Sequence, residues 1–142
     1  MPKKEITTVL KQELALNVQT ISSDTTTTSS AISTADYNGG VNIILFLGTR
    51  TDGTYTPLIT ECATSGGSYT AVVDADLVAQ DTSSTTAPEA QAVLNTSDTT
   101  SKIGYIGVQP FIKVALVSTS TSSGSLAGAL VTKLGDVAAV SA

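Results

Sequence analysis

The apolar run at residues 41–47, V-N-I-I-L-F-L, is bracketed on both sides by turn residues, and its length restricts what the chain around it can become. Val41, Ile43, Ile44, Leu45, Phe46 and Leu47 are mostly β-branched or large apolar side chains, which suit a pleated, packed surface. A membrane-crossing helix needs about 20 apolar residues, whereas Asn42 interrupts this run and Gly48 stops it. Gly39-Gly40 opens the segment and Thr51-Asp52-Gly53-Thr54 closes it, glycine being able to take the positive φ of a tight reversal. Pro57 then starts the returning segment, where its missing N–H does least harm. Residues 37–62 are therefore expected to form a scaffold hairpin without a catalytic group along it.

The same style recurs through the chain. From Glu13 onward the residues alternate, with Leu14, Leu16, Val18 and Thr20 on one expected face and Ala15, Asn17 and Gln19 on the other. Residues 22–30, 81–87 and 118–125 are hydroxyl-rich tracts and read as surface loops. Between them lie further short apolar segments: 69–73, 77–79, a strand or helical turn at 90–95, two strands around Pro110 within 102–117, and a last strand at 126–134. Turn signals between many short strands predict an all-β fold, a single antiparallel β-sandwich of jelly-roll type. Residues 13–142 form that domain, and residues 1–12 precede it as an extended or short-helical N-terminal arm with Ile6, Val9 and Leu10 on one stripe.

Composition limits the chemistry. A chain of 142 residues fits one domain and needs no covalent staple. Only 13% of its residues are charged, and about three in ten are serine or threonine, a balance suited to short strands and hydroxyl-rich loops rather than to helical surfaces. Histidine is absent, which removes the commonest general base near neutral pH and the commonest metal ligand. Cys62 is the only cysteine, so an internal disulfide is excluded, and it reads as a small buried apolar residue. Of the net charge of −5, residues 1–12 carry +2 through Lys3, Lys4, Lys11 and Glu5, leaving −7 on the body. An acidic body with few aromatics argues against nucleic acid as a partner. Thr7, Thr8, Lys11, Gln12 and Glu13 break up any secretory leader, so the chain is expected to be made inside the cell and soluble, with no membrane partner.

Candidate chemical groups are few. Asp74 and Asp76 pair two carboxylates in a turn, but calcium takes six to eight oxygens, and a solvated turn is the expected role. The same carboxylates with Asp81 or Glu61 lack the aromatic platform of a glycoside hydrolase. Asn95-Thr96-Ser97 matches a glycosylation acceptor by chance. Gly104-Tyr105-Ile106-Gly107 lacks the third glycine and following helix of a nucleotide fingerprint and reads as a bulged strand. Lys113, between Ile112 and Val114, reads as the outward residue of an alternating strand. No catalytic residue, cofactor or metal is assigned, and an enzyme is not expected.

The ordered series L-A-L-N-V-Q-T-I, A-D-Y-N-G-G, V-N-I-I-L-F-L-G-T-R-T-D-G-T-Y-T-P-L-I-T-E-C, S-Y-T-A-V, S-K-I-G-Y-I-G-V-Q-P-F-I-K-V-A-L-V and A-L-V-T-K-L-G resembles the small β-sandwich decoration, or cement, proteins of tailed-bacteriophage heads, over about residues 13–135. Gln109-Pro110-Phe111 departs from an arginine–aromatic pair frequent at that point in the family. The resemblance implies a structural virion protein on the outer face of the capsid, made in the host cytoplasm. It implies a major capsid protein as partner and a homo-oligomer, dimer or trimer, that bridges neighbouring subunits. Lys3, Lys4, Ile6, Val9, Leu10 and Lys11 are the expected capsid or oligomer interface, from the charge split. The alternative is a carbohydrate- or receptor-binding module of a head fibre or adhesin, which predicts exposed aromatics in a groove, drawn from Tyr37, Tyr55, Tyr69, Tyr105, Phe46 and Phe111.

Overall fold

Strand alternation places Val41, Ile43, Leu45 and Leu47 inward, where all four are buried, and turns Asn42, Ile44 and Phe46 to the opposite face. A computed structural model describes residues 9–80 and 85–135. Its strands are β1 (Leu10–Ile21), β2 (Thr26–Thr28), β3 (Ile32–Ser33), β4 (Gly40–Arg50), β5 (Thr54–Cys62), β6 (Thr70–Ala71), β7 (Leu77–Ala79), β8 (Thr99–Tyr105), β9 (Phe111–Thr119) and β10 (Ser125–Leu134), with a 3-10 turn at Asp74–Asp76 and one helical turn, α1 (Pro88–Gln91). The first sheet runs β1-β10-β4-β8-β7 and the second β2-β9-β5-β6, with β3 also on β9. All pairings are antiparallel. The first strand pairs with the last and β2 with β9, and the chain crosses between sheets at β1–β2, β3–β4, β4–β5, β6–β7, β8–β9 and β9–β10, which is jelly-roll connectivity. Between the sheets, Ile43, Leu45, Tyr55, Ile59, Ile103, Ile112, Val114, Leu116 and Val131 form the centre of one core.

Four expectations need correction. Residues 37–62 are not a paired hairpin: β4 bonds to β10 and β8, whereas β5 bonds to β9 and β6. Asp52-Gly53 turns the chain from one sheet to the other, so that the buried sets of β4 and β5 share the core instead of a ladder. Leu14, Leu16 and Val18 do not share a face either. One extra residue on β1 between Leu14 and Leu16, and a second irregularity between Leu16 and Gln19, send Leu16 into the core and leave Leu14 52% and Val18 53% exposed. The tract at 22–30 is not a plain loop, since Thr26–Thr28 add an edge strand to β9. Cys62, at the end of β5, is half-exposed instead of buried.

The N-terminal boundary also moves, because Leu10, Lys11 and Gln12 already pair with Leu134, Lys133 and Thr132 as the start of β1. Elsewhere the expectations hold in place: β7, β8, β9 and β10 occupy the predicted segments, and Lys113 stands on the outer side of β9 with its ammonium 4.4 Å from the Tyr69 ring. Pro57 is tolerated because Tyr55 and Ile59, two residues to either side, aim their N–H groups away from β9, toward Leu94 O and a Glu89 carboxylate oxygen. The missing N–H of Pro57 therefore removes no bond to β9. Glu89 reaches this edge from α1 half-buried, and that burial raises its pKa.

The two ends of the sandwich differ. At one end the turn after β4, the loop after β1 and the turn between β9 and β10 are laced together. The Asp52 carboxylate accepts the Ser122 hydroxyl at 2.6 Å and the N–H groups of Ser123 and Gly124 at 2.9 and 2.7 Å. Those donors hold its pKa well below the usual aspartate range, the Ser122 hydroxyl most of all. Asp24 accepts from Thr121 N–H at 2.7 Å, and the buried Tyr55 hydroxyl donates to Ile21 O at 3.1 Å. Gly124 takes φ +83°, and a Cβ there would meet the Ile21 carbonyl. The hydroxyl tract at 118–125 is thus a built connection. At the other end, loops 34–39 and 106–110, joined through Thr34, border an open cleft beside the point where β1 begins and β10 ends.

Candidate functional site

Outward-facing positions of the first sheet follow from its register. Leu14, Leu130 and Ile44 lie side by side across β1, β10 and β4, with Lys102 of β8 next in the row. Leu10 and Leu134 form a second apolar pair on that face, and Leu126 extends it along β10 with 43% exposure. The Phe46 ring lies over Gly128, where a Cβ would come within 2.6 Å of the ring. The polar residues Gln12, Thr132 and Asn42 lie between the two apolar groups, so the face is apolar around Leu14, Leu130 and Ile44 and again at Leu126, with Leu14 and Leu126 its most exposed side chains. Nothing of the described chain covers it, and Lys102 is the charged side chain bordering the row.

Of the residues expected at an interface, Leu10 belongs to this face, and Lys11 is exposed at the start of β1 opposite Lys133. Val9 is half-buried and accepts Gly135 N–H through its carbonyl at 2.8 Å. Lys3, Lys4 and Ile6 lie outside the described residues. Alternation had marked Leu14 and Val18 as core, and the irregularities in β1 are what bring them to the surface.

The cleft at the open end encloses about 580 Å³ between loops 34–39 and 106–110. Thr34 ties the two loops, its hydroxyl donating to Gln109 O at 2.7 Å and its N–H to Pro110 O at 2.8 Å. Tyr37 and Tyr105 both contribute to the wall, together with Asp36, Asn38 and the strongly exposed Val108. Behind the Tyr37 ring, 4.9 Å from its centre, sits the Lys133 ammonium, itself 2% exposed. That ammonium donates to a Glu13 carboxylate oxygen at 2.7 Å and to Ser33 O at 3.0 Å, so the buried charge is paired. Tyr105 is buried, donates to Glu61 at 2.7 Å and accepts Gln109 N–H at 3.1 Å. Burial first, and then the Glu61 carboxylate, push its phenol pKa up.

No match to this chain was found among protein-family models, curated proteins or solved structures. Site assignment therefore rests on the geometry of the chain itself. Most described carboxylates have a task inside the fold: Asp24 and Asp52 fasten loops, Glu13 pairs Lys133, Glu61 holds Tyr105, Glu89 caps the β5 edge and Asp74 accepts Ala87 N–H at 2.9 Å. Among the described residues no three His, Cys, Asp or Glu side chains gather where they would hold a metal ion. Among them, too, no helix is long and apolar enough to cross a membrane.

Proposed function

We propose that this protein is a structural virion protein that binds the outer surface of an assembled phage capsid and stabilises it by bridging neighbouring major capsid protein subunits. The observation that carries the reading is the uncovered apolar face of the first sheet, with Leu14, Leu126, Leu130 and Ile44 on a sandwich whose loops are fastened at one end. A rigid frame with apolar side chains on one sheet face loses little conformational entropy when that face meets another protein surface. The role needs no turnover: excluded water and packed area at each contact add up, and several copies in an oligomer engage the lattice together, so that modest contacts gain through effective concentration. Lys3 and Lys4 precede β1 in the sequence, and their positive charge together with that of Lys11 is the part of this reading that complements an acidic partner surface.

Co-sedimentation with assembled shells of the cognate phage tests this. Leu14→Asp combined with Leu126→Asp changes exposed side chains only, and is expected to leave the fold intact while shell occupancy falls at least tenfold. Deleting residues 1–8, which spares β1, is expected to weaken binding and to reduce its salt dependence. Unchanged occupancy in the double variant would remove the face from the mechanism, and failure of the wild-type chain to bind shells would overturn the function.

A further inference from the structure

The cleft between loops 34–39 and 106–110 carries polar groups that the fold does not use. The side chains of Asp36, Asn38 and Gln109 lie in its wall, and none of them makes a hydrogen bond to another described residue. This contrasts with the carboxylates described above, most of which are engaged. Asp36 is also held at φ +68°, a left-handed conformation that costs a non-glycine residue free energy and that recurs where the side chain has a use. Alongside stands Tyr37, its ring backed by Lys133 and packed against the core, so its position is set before any ligand arrives.

We infer that this cleft binds a neutral saccharide. An aromatic face is the surface on which the aliphatic C–H side of a sugar ring lies flat. A carboxylate accepts two hydroxyl protons, and a carboxamide both donates and accepts, which matches vicinal hydroxyls. The side chains of Val108 and Pro110 add apolar wall beside these groups. Charge selects the class of sugar: among the described residues Asp36 is the charged side chain in the wall, so phosphorylated, sulfated or uronic-acid ligands meet a like charge there. The volume lies within the range of small-ligand clefts and exceeds what one sugar ring fills. With one aromatic platform, affinity for a single ring is millimolar, and copies arrayed on a surface would raise it by avidity. The site is separate from the apolar sheet face and does not depend on the capsid reading.

The experiment titrates isotope-labelled full-length protein with the methyl glycosides of glucose, galactose, mannose and N-acetylglucosamine to tens of millimolar, reading amide chemical shifts. At least one probe is expected to perturb residues 34–40 and 105–110 selectively. Asp36→Gly suits the backbone at φ +68° and so preserves the fold while removing the carboxylate; it is expected to weaken binding at least tenfold. Gln109→Ala is expected to weaken it several-fold. The inference fails if no neutral glycoside perturbs the cleft, if the shifts fall elsewhere, if Asp36→Gly binds as wild type, or if methyl glucuronide binds more tightly than methyl glucoside. Shell co-sedimentation of Asp36→Gly, expected to be unchanged, separates this result from the fate of the capsid proposal.

Discussion

Replacing Glu13 by alanine should cost more stability than replacing Lys133 by methionine, although Lys133 is the more buried partner. The Lys133–Glu13 contact is 2.7 Å, with side-chain exposures of 2% and 40%. Coulomb's law at that separation gives about 1.5 kcal/mol with the dielectric constant of water and about 6 kcal/mol at an effective value of 20. The exposed flank of Glu13 draws the pair toward the lower figure, while an ammonium left buried without its carboxylate draws it toward the 3–5 kcal/mol typical of broken buried pairs. An expected loss of about 2–3 kcal/mol for Glu13→Ala follows, or roughly 7 °C in Tm for a domain of this size. In Lys133→Met the charge is gone, Glu13 turns to solvent, and the chief loss is the donor to Ser33 O, about 1 kcal/mol. The double variant should match Lys133→Met alone, since no buried charge remains to be stranded. Urea unfolding followed by far-UV circular dichroism measures this as a shift in midpoint at constant slope. A larger loss for Lys133→Met than for Glu13→Ala, or additive losses in the double variant, would refute the claim that Glu13 compensates a buried charge.

Asp52→Asn tests the fastened end. Because the folded state depresses the Asp52 pKa, its contribution is fully present above the ordinary aspartate value of 3.8 and is lost as pH falls below it toward the folded value. The stability difference between wild type and Asp52→Asn should therefore be constant above about pH 5 and narrow steadily below pH 3.8, as read from thermal melts across pH. Gly128→Ala places a Cβ 2.6 Å from the Phe46 ring and 3.2 Å from Leu16 O. It should cost about 1–3 kcal/mol in urea unfolding, with Phe46→Leu in the same chain recovering part of the loss.

Strand positions were legible where alternation and punctuation agreed, as in β4, β5, β8, β9 and β10. Alternation says that a strand has a buried face; it does not say which sheet the strand joins. Asp52-Gly53 therefore read as the turn of a hairpin when it is the bend of an arch between sheets. In β1 the sequence keeps strict period while the backbone does not, because its irregularities against β10 depend on a partner more than a hundred residues away. The hydroxyl tracts read as loops because serine and threonine are common there, yet Ser118 is buried and donates to Ser23 O at 2.7 Å. The cleft was the least legible feature: Thr34 and Gln109 are 75 residues apart, and only the jelly-roll path brings their loops together. Tyr37 was singled out among the aromatics of a possible groove, but its neighbours Asp36 and Asn38 carry no local pattern that distinguishes them from turn residues.

The strand order has a consequence for how this chain is made. β10, the last strand described, lies between β1 and β4, so one sheet has no continuous centre until residues 125–134 have been synthesised. Contacts this distant in sequence close slowly, and until they close, β1 has no neighbour in its sheet and β4 lacks one of its two. A nascent chain halted before Ser125 therefore cannot complete the sandwich, and translation ending early yields a product open to proteolysis rather than a folded but defective protein.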